Sequence, residues 1–72
     1  MSIQLNPVDS SLASHVGHDA STQTLAVRHH DGSEYHYQPV SPRVYEDLMR
    51  APSLGKFLHK HIRGHIPHTQ VK

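Results

Sequence analysis

The chain contains no cysteine and no tryptophan. Without cysteine there is no disulfide, no thiolate metal ligand and no thiol nucleophile. Large apolar groups are scarce too, since three tyrosines and one phenylalanine are the whole aromatic complement. No apolar run approaches the roughly 18 residues that a membrane-spanning helix needs. The first residues, MSIQLNPVDSS, have neither a basic region nor an apolar stretch, so no secretory signal is read and a cytoplasmic location is expected. Repeats and low-complexity blocks are also missing from the sequence. At 72 residues the chain is one domain at most. A domain of this size buries only about 60% of the surface its unfolded chain exposes. That leaves little room for a core and a deep cleft together, so a binding module is expected rather than an enzyme.

Charge is present but unevenly placed. Residues 1–47 carry two basic side chains, Arg28 and Arg43, against Asp9, Asp19, Asp31, Glu34, Glu46 and Asp47. Residues 48–72 carry Arg50, Lys56, Lys60, Arg63 and Lys72 and no acid. His59, His61, His65 and His68 lie in the same basic part. Imidazoles titrate near pH 6.5, so this half becomes more positive below neutrality. Two readings fit: a solvated helix with cations near its C-terminus, where the dipole favours them, or a surface for a polyanion.

Short-range patterns predict an α+β fold. Residues 11–18 read as a strand with Leu12, Ser14 and Val16 on one face. Residues 23–29 alternate, with Leu25 and Val27 opposite Thr24, Ala26 and Arg28. Residues 33–38 place Tyr35 and Tyr37 on one face. Asp31-Gly32 marks the hairpin between these two strands. A two-residue loop would set Tyr35 opposite Arg28. A three-residue loop, His30-Asp31-Gly32, pairs Val27 with Tyr35 and Leu25 with Tyr37. A one-residue slip exchanges a strand's faces, and only the second register gathers the four bulky residues. The three-residue turn is therefore expected, with Gly32 at positive φ.

Ser41-Pro42 then gives an N-cap and a proline at the first helical position. Val44, Tyr45, Leu48 and Ala51 form the apolar stripe of this helix, which Pro52 ends. Ser53 caps a second helix running to about Arg63. There Leu54, Phe57, Leu58, His61 and Ile62 form one stripe, and Lys56, His59, Lys60 and Arg63 the opposite one. Gly64 suits the residue after the helix end. The expected order is β-β-β-α-α, a three-stranded antiparallel meander with two short helices packed on one face. Residues 1–9 are expected as an N-terminal arm, residues 10–64 as the domain and residues 65–72 as a flexible tail.

Nine histidines raise the question of a metal. His61 and His65 have helical spacing, but Gly64 and Pro67 interrupt the helix between and beyond them. Structural zinc takes four ligands, usually with thiolates, so no metal and no cofactor is expected. No nucleophile elbow and no phosphate-cradling glycine loop occurs. Tyr35 and Tyr37 admit two readings, a stacking platform for nucleobases or core rings with hydroxyls at the rim. The face made by Lys56, His59, Lys60 and Arg63 is the better candidate for phosphate contacts, which give affinity without sequence readout. An acidic protein would satisfy the same face.

The ordered set SS-x(4)-VGHD, T-L-A-V-x(3)-DG-x(2)-Y-x-Y and V-x(3)-VYEDL-x(2)-A-x-S-x-G-x-F-x(4)-IR resembles the KTSC domain. That module is named for its occurrence at the C-terminus of some lysyl-tRNA synthetases, and it also occurs as stand-alone bacterial or phage proteins. The resemblance covers roughly residues 10–63. His18 and His29 depart from it, standing where the family tends to have an aromatic and a phenylalanine. The family is not established as catalytic, and the synthetase association implies RNA as a ligand. The positions that carry over are Tyr35, Tyr37 and Arg63. The expectation is a non-enzymatic module for RNA or another single-stranded nucleic acid. Lys56, Lys60 and Arg63 would meet phosphates, with Arg50 and His59 assisting, and Tyr35 or Tyr37 would stack if exposed. The alternative is a protein-interaction module or regulator that binds a larger enzyme of RNA metabolism or transcription, such as a tRNA synthetase or an RNA polymerase.

Overall fold

The computed structural model describes residues 3–72. Its elements, in chain order, are β1 (Asn6–Pro7), β2 (Ala13–Asp19), β3 (Thr24–His29), β4 (Glu34–Tyr37), α1 (Pro42–Arg50), α2 (Leu54–Phe57), a π turn (Leu58–Ile62) and β5 (His68–Gln70). The class is α+β, as expected. The sheet, however, has five antiparallel strands in the order β1-β2-β3-β4-β5, not three.

Both added strands lie at the edges, in segments expected as an arm and a tail. Asn6 and Pro7 pair with Val16 and His15, and His68–Gln70 pairs with Tyr37–Tyr35. Residues 1 and 2 of the expected arm lie outside the described residues. Neither edge strand has an alternating apolar pattern. Backbone hydrogen bonds from distant strands define them, such as Val71 N–H to the Glu34 carbonyl at 2.8 Å and Gln38 N–H to the Pro67 carbonyl at 3.1 Å.

The central hairpin has the expected register, with Leu25 opposite Tyr37 and Val27 opposite Tyr35. His29 N–H donates to the Ser33 carbonyl at 2.8 Å, closing the three-residue loop, and Gly32 sits at φ +91°. Asp31 stabilises the turn further, its Oδ1 accepting from the Ser33 N–H and hydroxyl. In β2 a bulge between Ala13 and His15 breaks simple alternation. Ala13 and Val16, three apart, are consequently both buried.

The helices close one face of this sheet. Ser41 and Ser53 accept capping bonds from Val44 N–H and Lys56 N–H, each at 3.3 Å. Leu48, Leu58 and Ile62 are driven onto Leu25, Val27 and Tyr37, with Ala13, Val16 and Val40 completing the core. The second helix departs from its expected course. After one α-helical turn it widens into the π turn, in which Arg63 N–H reaches the Leu58 carbonyl at 2.7 Å. The wider turn takes up an extra residue. His61, expected on the apolar stripe, is therefore exposed, with its ring 4.6 Å from that of Phe57, while Ile62 stays buried. Gly64 ends the segment at φ +79°.

The opposite face is covered by the chain's beginning. Gly17 lies beside Ala26, and both are buried. A Cβ at Gly17 would overlap the Gln4 carbonyl and press on Ile3. Gly17→Ala is therefore expected to force the segment before β1 off the sheet. The cost should be about 1–3 kcal/mol, the range for overpacked sites, and urea unfolding would measure it.

On the same face Glu34 accepts from Arg28 Nη2 at 3.0 Å and from His36 Nε2 at 2.9 Å. Burial alone would raise the Glu34 carboxyl, but the His36 and Arg28 hydrogen bonds outweigh it and hold the group below its ordinary value. A depressed carboxyl contributes stability that is full above the unfolded-state pKa and lost as pH falls through the folded value. Acid unfolding of Glu34→Gln, followed by circular dichroism, should accordingly show a flatter fall in stability below about pH 4.3, the ordinary glutamate value.

Candidate functional site

The basic side chains singled out from the sequence occupy one arm of the molecule. Lys56 lies on α2, His59 and Lys60 on the π turn, and Arg63 directly after it. All four are exposed. With Leu12, just before β2, they border an open hollow of about 690 Å³. Among the described residues the ion pairs are Arg28–Glu34 and His36–Glu34, so none of these four meets an acid.

A second hollow of about 690 Å³ adjoins the first, sharing Leu12, His59 and Arg63 with it. Its floor is the outer end of the β3–β4–β5 sheet, with Tyr35, Tyr37, His29 and His68, and its turn wall carries Asp31 and Ser33. The rings form a ladder. His29 meets Tyr35 edge-on at 5.3 Å, and His68 lies 5.7 Å from Tyr35 and 5.5 Å from Tyr37.

The tyrosines are not equivalent. Tyr37 is 4% exposed and belongs to the core, so its face is closed to a nucleobase. Burial pushes its phenol above the ordinary value, and the nearby Arg63 guanidinium offsets part of that rise. Tyr35 is half-buried, packing on the core while bordering the hollow. Arg50, at the end of α1, is exposed and borders neither hollow.

His18 and His29 each partner one ring nitrogen with a backbone carbonyl. The His18 ring stacks on Tyr45 at 5.0 Å, and its Nε2 donates to the Val40 carbonyl at 2.6 Å. The His29 Nδ1 donates to the Leu12 carbonyl at 3.3 Å. Among the described residues no buried side-chain nitrogen or oxygen is left without a partner.

Sequence reasoning did not place His29, His68, Leu12 or Asp31 at this site. His68 sits in a segment with no local strand signal, and only its register opposite Tyr37 brings it over the tyrosines. Among the described residues no helix is long and apolar enough to cross a membrane.

The model of the KTSC domain matches residues 9–65, most of the chain. The chain belongs to the KTSC family. The KTSC domain protein of Yersinia pestis has the same fold, with a TM-score of 0.91 and 28% identity over 99% of this chain and 100% of that one. A protein of Tsukamurella paurometabola is 41% identical over 54 residues, covering 75% of this chain and 81% of its own length. Lysine–tRNA ligase of Nostoc punctiforme is 36% identical over 63 residues, 88% of this chain. This KTSC chain spans only 11% of that ligase. The ligase of Trichormus variabilis is 39% identical over 54 residues, 75% of this chain and 10% of the ligase.

Proposed function

We propose that this KTSC protein is a non-catalytic module that binds RNA as a single strand, holding its phosphates on the arm formed by α2 and the π turn. The observation that carries this reading is the pair of adjoining hollows that share His59 and Arg63. Lys56, Lys60 and Arg63 line the first without acidic partners, so their charge is available to a ligand. Phosphate contacts of this kind bind through charge and counterion release, and no base need be read. Tyr35 offers ring surface beside the phosphate track, whereas Tyr37 acts as its support. The similarity to lysine–tRNA ligases, whose names specify an RNA substrate, agrees with this ligand class.

An amide NMR titration with a short single-stranded RNA tests the reading. It would be run at about 20 mM and about 150 mM salt, on either side of a 10 Å Debye length. Shifts along residues 54–63 that weaken at the higher salt are expected. No shifts at either salt would overturn the proposal and favour a protein partner.

A further inference from the structure

The second hollow has features that a passing backbone phosphate does not require. It offers one permanent cation, Arg63, and three imidazoles, His29, His59 and His68, from three different parts of the chain. A bridging phosphodiester carries one negative charge, whereas a terminal phosphate carries about −1.5 to −2 near neutrality, its second pKa being about 6. The turn wall carries Asp31, whose carboxyl is held below its ordinary value by hydrogen bonds from the Ser33 side chain and backbone. That ionised acid repels any phosphate beside it, so an occupant is held only where the cationic groups opposite outweigh it.

His29 adds a second constraint. Its Nδ1–H is committed to the Leu12 carbonyl, so in the neutral ring Nε2 is a lone pair. A lone pair repels an unprotonated phosphate oxygen, whereas an imidazolium N–H donates to it. An anion seated against this ring would therefore favour its protonated form. The other charged or titratable groups facing this hollow are Arg63 and His59 from the helical arm, His68 from β5, Asp31 from the turn, and Tyr35 and Tyr37 from β4.

We propose that this hollow is a terminal-phosphate pocket, in which Arg63 and protonated His29, flanked by His59 and His68, hold the phosphorylated end of an RNA strand whose backbone lies along Lys56 and Lys60. The inference rests on the RNA reading above and adds which part of the strand is captured.

The test compares one short RNA sequence in three forms: 5′-phosphorylated, 3′-phosphorylated, and with hydroxyls at both ends. Affinities are measured at about pH 6.5, near the ordinary imidazole midpoint, and at about pH 8.5, well above it, at constant ionic strength. One phosphorylated form should bind at least about tenfold more tightly than the hydroxyl form at the lower pH, and the preference should shrink severalfold at the higher one. The two phosphorylated forms distinguish a 5′ from a 3′ end. His29→Phe keeps a ring beside Tyr35 and should remove most of the preference for the phosphorylated form. Calorimetry on the unaltered protein in buffers of different ionisation enthalpy should show net proton uptake with the preferred form, and this needs no variant. Equal affinity for all three forms would overturn the terminal-phosphate pocket and leave the RNA reading standing. Absence of binding by any form would overturn both.

Discussion

Replacing Lys56, Lys60 and Arg63 together with glutamate is expected to abolish measurable RNA binding at low salt. The three cations border one hollow and have no acidic partners among the described residues, so each is free to release a counterion on binding phosphate. For single strands each neutralised phosphate contributes about −0.7 to the slope of log affinity against log salt. Three contacts predict a slope near −2, or a roughly 20-fold loss between about 50 mM and 200 mM salt. The reversed variant should lose both the affinity and the slope in a salt series of fluorescence-anisotropy titrations. The side chains are exposed, so its thermal unfolding should stay close to that of the parent. Reversal of Arg50 alone should change little, because Arg50 borders neither hollow. Unchanged RNA affinity in the triple variant would remove the helical arm from the function.

The largest loss of stability is expected from Leu25→Ala. Leu25 is 0% exposed, sits opposite Tyr37 in the central hairpin and belongs to the single core cluster. Among the described residues only seven large side chains are fully buried: Leu25, Leu48, Leu58, Ile62, Val16, Val27 and Val40. Truncating a buried leucine to alanine costs about 2–5 kcal/mol through lost transfer energy and the cavity left behind. A domain of this length is stable by roughly 4–11 kcal/mol on ordinary per-residue values. Urea unfolding should therefore show Leu25→Ala to be marginally folded at 25 °C. Met49→Ala, at a position 43% exposed, should stay within about 0.5 kcal/mol of the parent. A small effect at Leu25 would mean that the core does not converge on the hairpin.

Where local chemistry chose between alternatives, it could be read from the residues. The hairpin register followed from gathering Leu25, Val27, Tyr35 and Tyr37 on one face, and the left-handed residue of the turn fell on Gly32. Ser41-Pro42 and Ser53 started the helices through caps that span three residues. The exposure of Lys56, His59 and Lys60 followed from the apolar stripe opposite them. These features depend on neighbours within one turn or one loop, where sequence spacing and spatial distance are nearly the same.

The edges of the sheet and the second hollow were decided by the tertiary structure. Asn6–Pro7 and His68–Gln70 lack strand patterning, and both become strands because a neighbouring strand presents unpaired backbone groups. The burial of Gly17 and Ala26 depends on the segment before β1 crossing their face. His61 leaves the apolar stripe because the π turn inserts a residue that 3.6-residue periodicity does not anticipate. The hollow itself unites His29 on β3, Asp31 in the turn, Tyr35 on β4, Arg63 after the π turn and His68 on β5. By itself the sequence determined the hairpin, the caps and the basic stripe, because short-range sterics and hydrogen bonds suffice for them. The meeting of Arg63 with the histidines required the whole fold, because it depends on long-range pairing that brings the last strand beside the tyrosines.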